Sequence, residues 1–276
     1  MKNQSKEPRM TRLRTRIAQA REEQRGILVG FLPSGFPDPE GFAEAVGAAF
    51  EAGLDALEVS MPGPAPELDG PLIQRAALQA SERTKTVDEA LRLAAASRRH
   101  PGDTIIGLAY ARTLDEITPE GFLEALSAAD IDAFLLPQTP VADQLALGAR
   151  ARELGIDAVV FLHLQEDLEL IASGILPDPI IYLQSADLQT GGAFNPEKAR
   201  ERLGELAEAM DGKPYVVLVG FGVRGYAEAI VVMSAGADGA IVGTRLVSAA
   251  ESGAEQTTAV IDDLSPALVR HAEVER

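Results

Sequence analysis

The stretch GFAEAVGAAFEAGLDALEVSM, residues 41–61, divides at Gly53 into two kinds of pattern. Its first part is amphipathic and helix-like, and it closes on a glycine as a helix C-terminus does. Its second part, ALEVSM (56–61), is an apolar run of strand length. A helix followed at once by a buried strand is the unit from which parallel α/β folds are built.

The same alternation runs along nearly the whole chain. Further candidate strands are ILVGFL (27–32), TIIGLAY (104–110), AFLLP (133–137), AVVFL (158–162), IIYLQ (180–184), YVVLVG (215–220) and GAIVG (239–243). Amphipathic segments such as GFLEALSAAD, VADQLALGARARELG and YAEAIVVMSAGA lie between them. Eight such units in roughly 250 residues predict a (β/α)8 TIM barrel, since a doubly wound sheet usually has fewer strands. TRLRTRIAQAREEQRG (11–26) then reads as an extra N-terminal helix closing the barrel bottom, and the tail from Glu251 holds the last helix. With no low-complexity linker and no repeat beyond the βα period, residues 1–276 read as one barrel domain.

Composition narrows the function. The 276 residues are 46% hydrophobic, enough for a large core, and carry a formal charge of −17. That charge repels phosphodiester polymers and anionic membranes, and no Lys/Arg block offsets it. There is no cysteine, and His100, His163 and His271 lack metal-ligand spacing. The opening MKNQSKEPRM has no apolar h-region, and the longest apolar runs, such as PYVVLVGFGV, are strand-sized. The expectation is a soluble, cytoplasmic enzyme acting on a small molecule.

In such a barrel, chemistry belongs at the C-terminal ends of the strands. Glu58 lies near the end of the second strand, among Leu57, Val59 and Met61. A carboxyl group desolvated there is raised in pKa and can exchange protons near neutrality; an outward-facing or ion-paired glutamate is the bland alternative. Asp69 follows a proline-rich loop, although Asp-Gly-Pro is also ordinary turn chemistry. Gly220, Gly222 and Gly243, with a helix starting near Thr244, suit a phosphate; taken alone they also suit tight turns. LQTGGAF (188–194) reads as a lid. Tyr110 and Tyr182 sit near strand ends, where packing and substrate contact compete, and His163 reads as structural. Asp132 and Asp238 precede apolar runs and read as turn caps at the barrel bottom.

From about Arg12 to Ala250 the chain resembles the tryptophan synthase alpha chain family. The resemblance is carried by FLPSGFPD, DALEVSMP with DGPLIQRA, YLQSADLQTGG, VGFGV and GADGAIVGT, in that order and spacing. It implies a TIM barrel that cleaves indole-3-glycerol phosphate to indole and glyceraldehyde 3-phosphate by a retro-aldol step, with no metal or cofactor. By position, Glu58 matches the family's proton-shuttling glutamate and Asp69 its aspartate at the indole nitrogen. Tyr182 matches the tyrosine near the substrate, and Thr190 and Gly191 the lid. Gly191, Gly222, Gly243 and Thr244 match the phosphate cradle, and Phe31, Leu108 and Tyr110 the walls around indole. The family also implies a PLP-dependent beta chain as partner.

The chain departs from the family in its loops. Pro62-Gly63-Pro64-Ala65-Pro66 stands where the family has Pro-Phe-Ser-Asp-Pro, and Arg112, Gln138 and Ala186 stand where it has asparagine, aspartate and arginine. In the family these positions couple the barrel to the beta chain, so the resemblance implies the chemistry more directly than the partner. Two other readings stay open: a paralogue acting on a related phosphorylated substrate, and a barrel kept as a binding or activating subunit.

Overall fold

The computed structural model describes residues 10–63, 69–162, 167–184, 194–220 and 222–270. Eight strands form the barrel: β1 (Ile27–Pro33), β2 (Ala56–Ser60), β3 (Thr104–Leu108), β4 (Ala133–Leu135), β5 (Asp157–Leu162), β6 (Ile180–Gln184), β7 (Val216–Gly220) and β8 (Gly239–Val242). They pair in chain order and the sheet closes, with β1 parallel to both β2 and β8. Every strand residue is buried, as expected where helices cover one face of a parallel sheet and packed side chains fill the other. β4 is shorter than its apolar run, because Leu136 and Pro137 leave the sheet at the mouth.

Local chemistry starts the helices. Asp38 accepts from the Gly41 N–H ahead of the helix Pro39–Glu51, with proline at its first position. Thr86 and Glu89 form a capping box on the helix Val87–Ala96. Asn195 caps the helix Pro196–Met210. Among the described residues no helix is long and apolar enough to cross a membrane.

The lower rim repeats one device. Asp55, Asp132 and Asp238 each precede a strand and turn a buried carboxylate onto the strand before. Asp55 accepts from the Leu28 N–H at 2.8 Å, Asp132 from Ile105 at 2.8 Å and Asp238 from Val217 at 2.9 Å. Asp132 and Asp238 are therefore not simple turn caps; they pin neighbouring strands together. The helix Arg12–Glu22 lies beneath and delivers arginines to this rim. Arg12 reaches Asp132 at 2.8 Å, Arg14 reaches Asp157 at 2.7 Å and Arg16 reaches Asp55 at 2.7 Å. Arg98, Arg25 and Arg270 supply further cations to Asp132, Asp55 and Asp238. The buried carboxylates of Asp55, Asp132 and Asp238 are tolerable because each has both a charge partner and a backbone donor.

Candidate active site

A cleft opens at the C-terminal end of the barrel, with about 710 Å³ of empty space when its open mouth is included. Glu58, Asp69, Tyr182, Phe31, Leu108, Tyr110, Gly222, Gly243 and Thr244 all line it. Thr190 and Gly191 lie outside the described residues, as do His163 and Ala186.

Glu58 projects from β2 and is only 2% exposed. Among the described residues its Oε1 has no hydrogen-bond partner. Burial first, and the charge of Asp69 second, push the Glu58 carboxyl up to about 8. The group is thus a neutral acid at pH 7 that needs little energy to ionise, the condition a proton shuttle requires.

Asp69 stands just before the helix Pro71–Ser81, whose N-cap is Gly70. Its backbone carbonyl accepts from Gln74 Nε2 at 2.5 Å. Its carboxylate accepts from the Tyr110 hydroxyl, also at 2.5 Å. Burial, followed by the Asp69 charge, holds the Tyr110 phenol well above its usual range, so it stays protonated as a donor. Tyr110 is therefore more than an apolar wall: its ring lines the cleft and its hydroxyl orients a carboxylate.

Tyr182 packs against Phe161, with ring centroids 4.8 Å apart and planes tilted by 36°. A Cβ at Gly220 would lie 2.0 Å from the Tyr182 hydroxyl, so the β7 glycine makes room for the phenol rather than only turning the chain. Burial, then the charges of Glu58 and Asp69, raise the Tyr182 phenol well above its usual range. Two carboxylates and two phenols thus share one low-dielectric space.

Gly222 and Gly243 border the opposite corner. Gly222 has φ +96°, a conformation costly for other residues. The helices Tyr226–Ser234 and Thr244–Ser252 begin at this corner with glycine N-caps and no side-chain capping bond. Glycine brings no side chain to the first N–H groups of either helix, and Gly243 and Thr244 present the second helix start to the cleft.

The sequence reading did not single out Ile73, Leu135, Pro137, Phe161, Val223, Arg224 or Ile241, which also line the cleft. Strand alternation counted from Glu58 through the barrel register would have found Leu135, Phe161 and Ile241. Of the departing loop residues, Gln138 accepts from the Ala111 N–H at 3.0 Å and so ties the loop after β4 to the loop after β3, beside exposed Arg112. Pro62 and Gly63 are described, whereas Pro64, Ala65 and Pro66 lie outside the described residues.

The profile of the family described as tryptophan synthase alpha chain matches residues 17–274. The tryptophan synthase alpha chain of Rhizorhabdus wittichii is 33% identical over 278 aligned positions, covering 96% of this chain and 98% of that protein. That of Dechloromonas aromatica is 31% identical over 251, covering 90% and 92%. Among solved structures, a chain of Mycobacterium tuberculosis tryptophan synthase superposes with a TM-score of 0.78 at 26% identity, covering 94% of this chain and 99% of that one. A protein from Aquifex aeolicus reaches a TM-score of 0.81 at 25% identity, covering 94% and 99%. With the profile spanning almost the entire barrel and the relatives aligning end to end, the chain belongs to the tryptophan synthase alpha chain family.

Proposed function

We propose that this protein is an indole-3-glycerol-phosphate lyase, a carbon–carbon lyase of aldolase type that needs no cofactor. One observation carries the reading: a buried carboxyl whose Oε1 has no hydrogen-bond partner among the described residues, poised at about 8, beside a second carboxylate in an apolar cleft. Neutral Glu58 delivers its proton to indole C3. Positive charge then grows on the ring nitrogen, where the Asp69 carboxylate, held by Tyr110, offsets it. Glu58, now ionised, takes the proton from the hydroxyl on the carbon bonded to C3. The carbon–carbon bond breaks, its electron pair returns to the indole ring, and the hydroxyl oxygen becomes the aldehyde of glyceraldehyde 3-phosphate. Glu58 ends as it began, protonated, so the cycle balances without an outside acid or base.

Phe31, Leu108 and the Tyr182 ring would hold the indole plane, and Gly222, Gly243 and Thr244 the phosphate. Thr190 and Gly191 complete the lid and cradle by their match to the family. The site is that of an enzyme of tryptophan biosynthesis in the cytoplasm. A solved relative is a chain of Mycobacterium tuberculosis tryptophan synthase, which supports a PLP-dependent beta chain as partner. Co-elution with a beta chain from the same source tests that pairing.

The lyase reading is tested by measuring indole release from indole-3-glycerol phosphate by the purified chain, with Glu58→Gln as control. Release that the substitution lowers by about 10²- to 10⁴-fold supports it. Absence of release from the purified chain, with or without a beta chain, overturns it in favour of a related phosphorylated substrate or a binding subunit.

A further inference from the structure

We propose that Arg224 is a charged ligand for the substrate's phosphate, gripping it at the glycine-lined corner of the cleft. The inference rests on the lyase reading for the identity of the substrate, but its evidence is electrostatic and local. The protein carries a formal charge of −17, and the cleft already holds the Asp69 carboxylate. A phosphate monoester brings roughly two more negative charges near neutral pH. Among the described residues lining the cleft, Arg224 is the single lysine or arginine.

Its place in the chain gives it the right reach. Arg224 lies between Gly222 and Gly225, in the turn that leads from β7 into the helix Tyr226–Ser234. Its backbone is tied across to the next unit, for the Arg224 carbonyl accepts from Arg245 Nη1 at 2.8 Å. Arg245 belongs to the first turn of the helix Thr244–Ser252, and the same nitrogen pairs with Asp263 at 2.5 Å. Arg224 is thereby fixed where the two helix starts without side-chain caps converge, while its own side chain is exposed at the rim. Arg245, which pairs with Asp263, is not part of the cleft wall.

A guanidinium suits this position. Its planar fork can bind two phosphate oxygens at once while backbone N–H groups bind the third. At the rim it also draws an anionic ligand toward a protein whose overall charge would repel it.

The test is calorimetric titration of the full chain with inorganic phosphate and with sn-glycerol 3-phosphate, comparing wild type, Arg224→Met and Arg224→Lys, alongside the kinetics of indole release. The expected result is that Arg224→Met weakens both phosphate ligands by about 10- to 100-fold. It should raise KM for indole-3-glycerol phosphate by a similar factor and leave kcat within about twofold, the pattern of lost uniform binding. Arg224→Lys should recover part of the loss, and the melting temperature should not move. Equal affinity of wild type and Arg224→Met, or no binding of either phosphate by wild type, overturns the proposal. Arg224-dependent phosphate binding without indole release sinks the lyase reading and supports the phosphate ligand. Indole release with KM unchanged in Arg224→Met does the reverse.

Discussion

The Tyr110 hydroxyl donates a 2.5 Å hydrogen bond to the Asp69 carboxylate, joining the segment just after β3 to the one that follows β2. The bond holds one carboxylate oxygen of Asp69, which stands just before the helix Pro71–Ser81. Tyr110→Phe keeps the ring in the cleft wall and removes only the donor. A hydrogen bond to a charged group contributes about 1.5–3 kcal/mol, so kcat for indole release should fall by about 10- to 100-fold. Steady-state kinetics check this, and unchanged kcat would show that Asp69 is oriented by other contacts.

The buried Glu58 makes a prediction about pH. Its carboxyl is raised from an ordinary 4.5 to about 8, by burial and by Asp69. Activity that begins with the protonated acid should therefore decline as pH rises through about 8, and the kcat/KM profile of Glu58→Gln should be low and flat. Stability follows the same sign. The folded state holds this proton more tightly than the unfolded chain, so the group erodes stability as pH climbs from 4.5 toward 8 and no further above it. Glu58→Gln should gain stability relative to wild type at pH 9, by roughly a few kcal/mol, and gain little at pH 5. Denaturant titrations at the two pH values measure the difference.

Gln184, at the end of β6, is 2% exposed, and its Nε2 finds no hydrogen-bond partner among the described residues. Leaving a buried donor unmatched costs about 1–3 kcal/mol. Gln184→Met preserves length and removes the donor, so the melting temperature should rise. A fall would mean that the amide is matched by a contact formed in solution.

The lower rim should respond in the opposite direction. Asp132→Ala leaves the Ile105 N–H without its acceptor and Arg12 and Arg98 without a shared anion. Removing one partner from a buried ion pair typically destabilises by about 3–5 kcal/mol. Chemical denaturation should show this loss, while KM in the surviving folded fraction stays at the wild-type value.

Much of the architecture was legible because strands buried on both faces must be written as apolar runs, and each of the eight runs became a strand. Glu58 was legible for the same reason, since a carboxylate inside such a run is costly unless it has a task. Asp132 and Asp238 were placed at the correct end of the barrel, but their bonds to the preceding strand were not, because register is set by closure of the sheet rather than by neighbours in sequence. The Tyr110–Asp69 contact spans 41 positions and leaves no local trace. Arg224 was passed over because a single exposed arginine beside glycines looks like any turn; only the convergence of two helix starts gives it a site to serve.

The ring of aspartates and arginines under the barrel has a consequence for how this protein can change. Cohesion between successive strands is concentrated at the end opposite the cleft, where one N-terminal helix contacts the entrances of several βα units. A scaffold anchored in this way can exchange its upper loops without renegotiating its foundations. The Pro-Gly-Pro-Ala-Pro segment then marks a replaceable module, and a relative's segment can be grafted between Met61 and Asp69 while the foundations of the barrel stay intact.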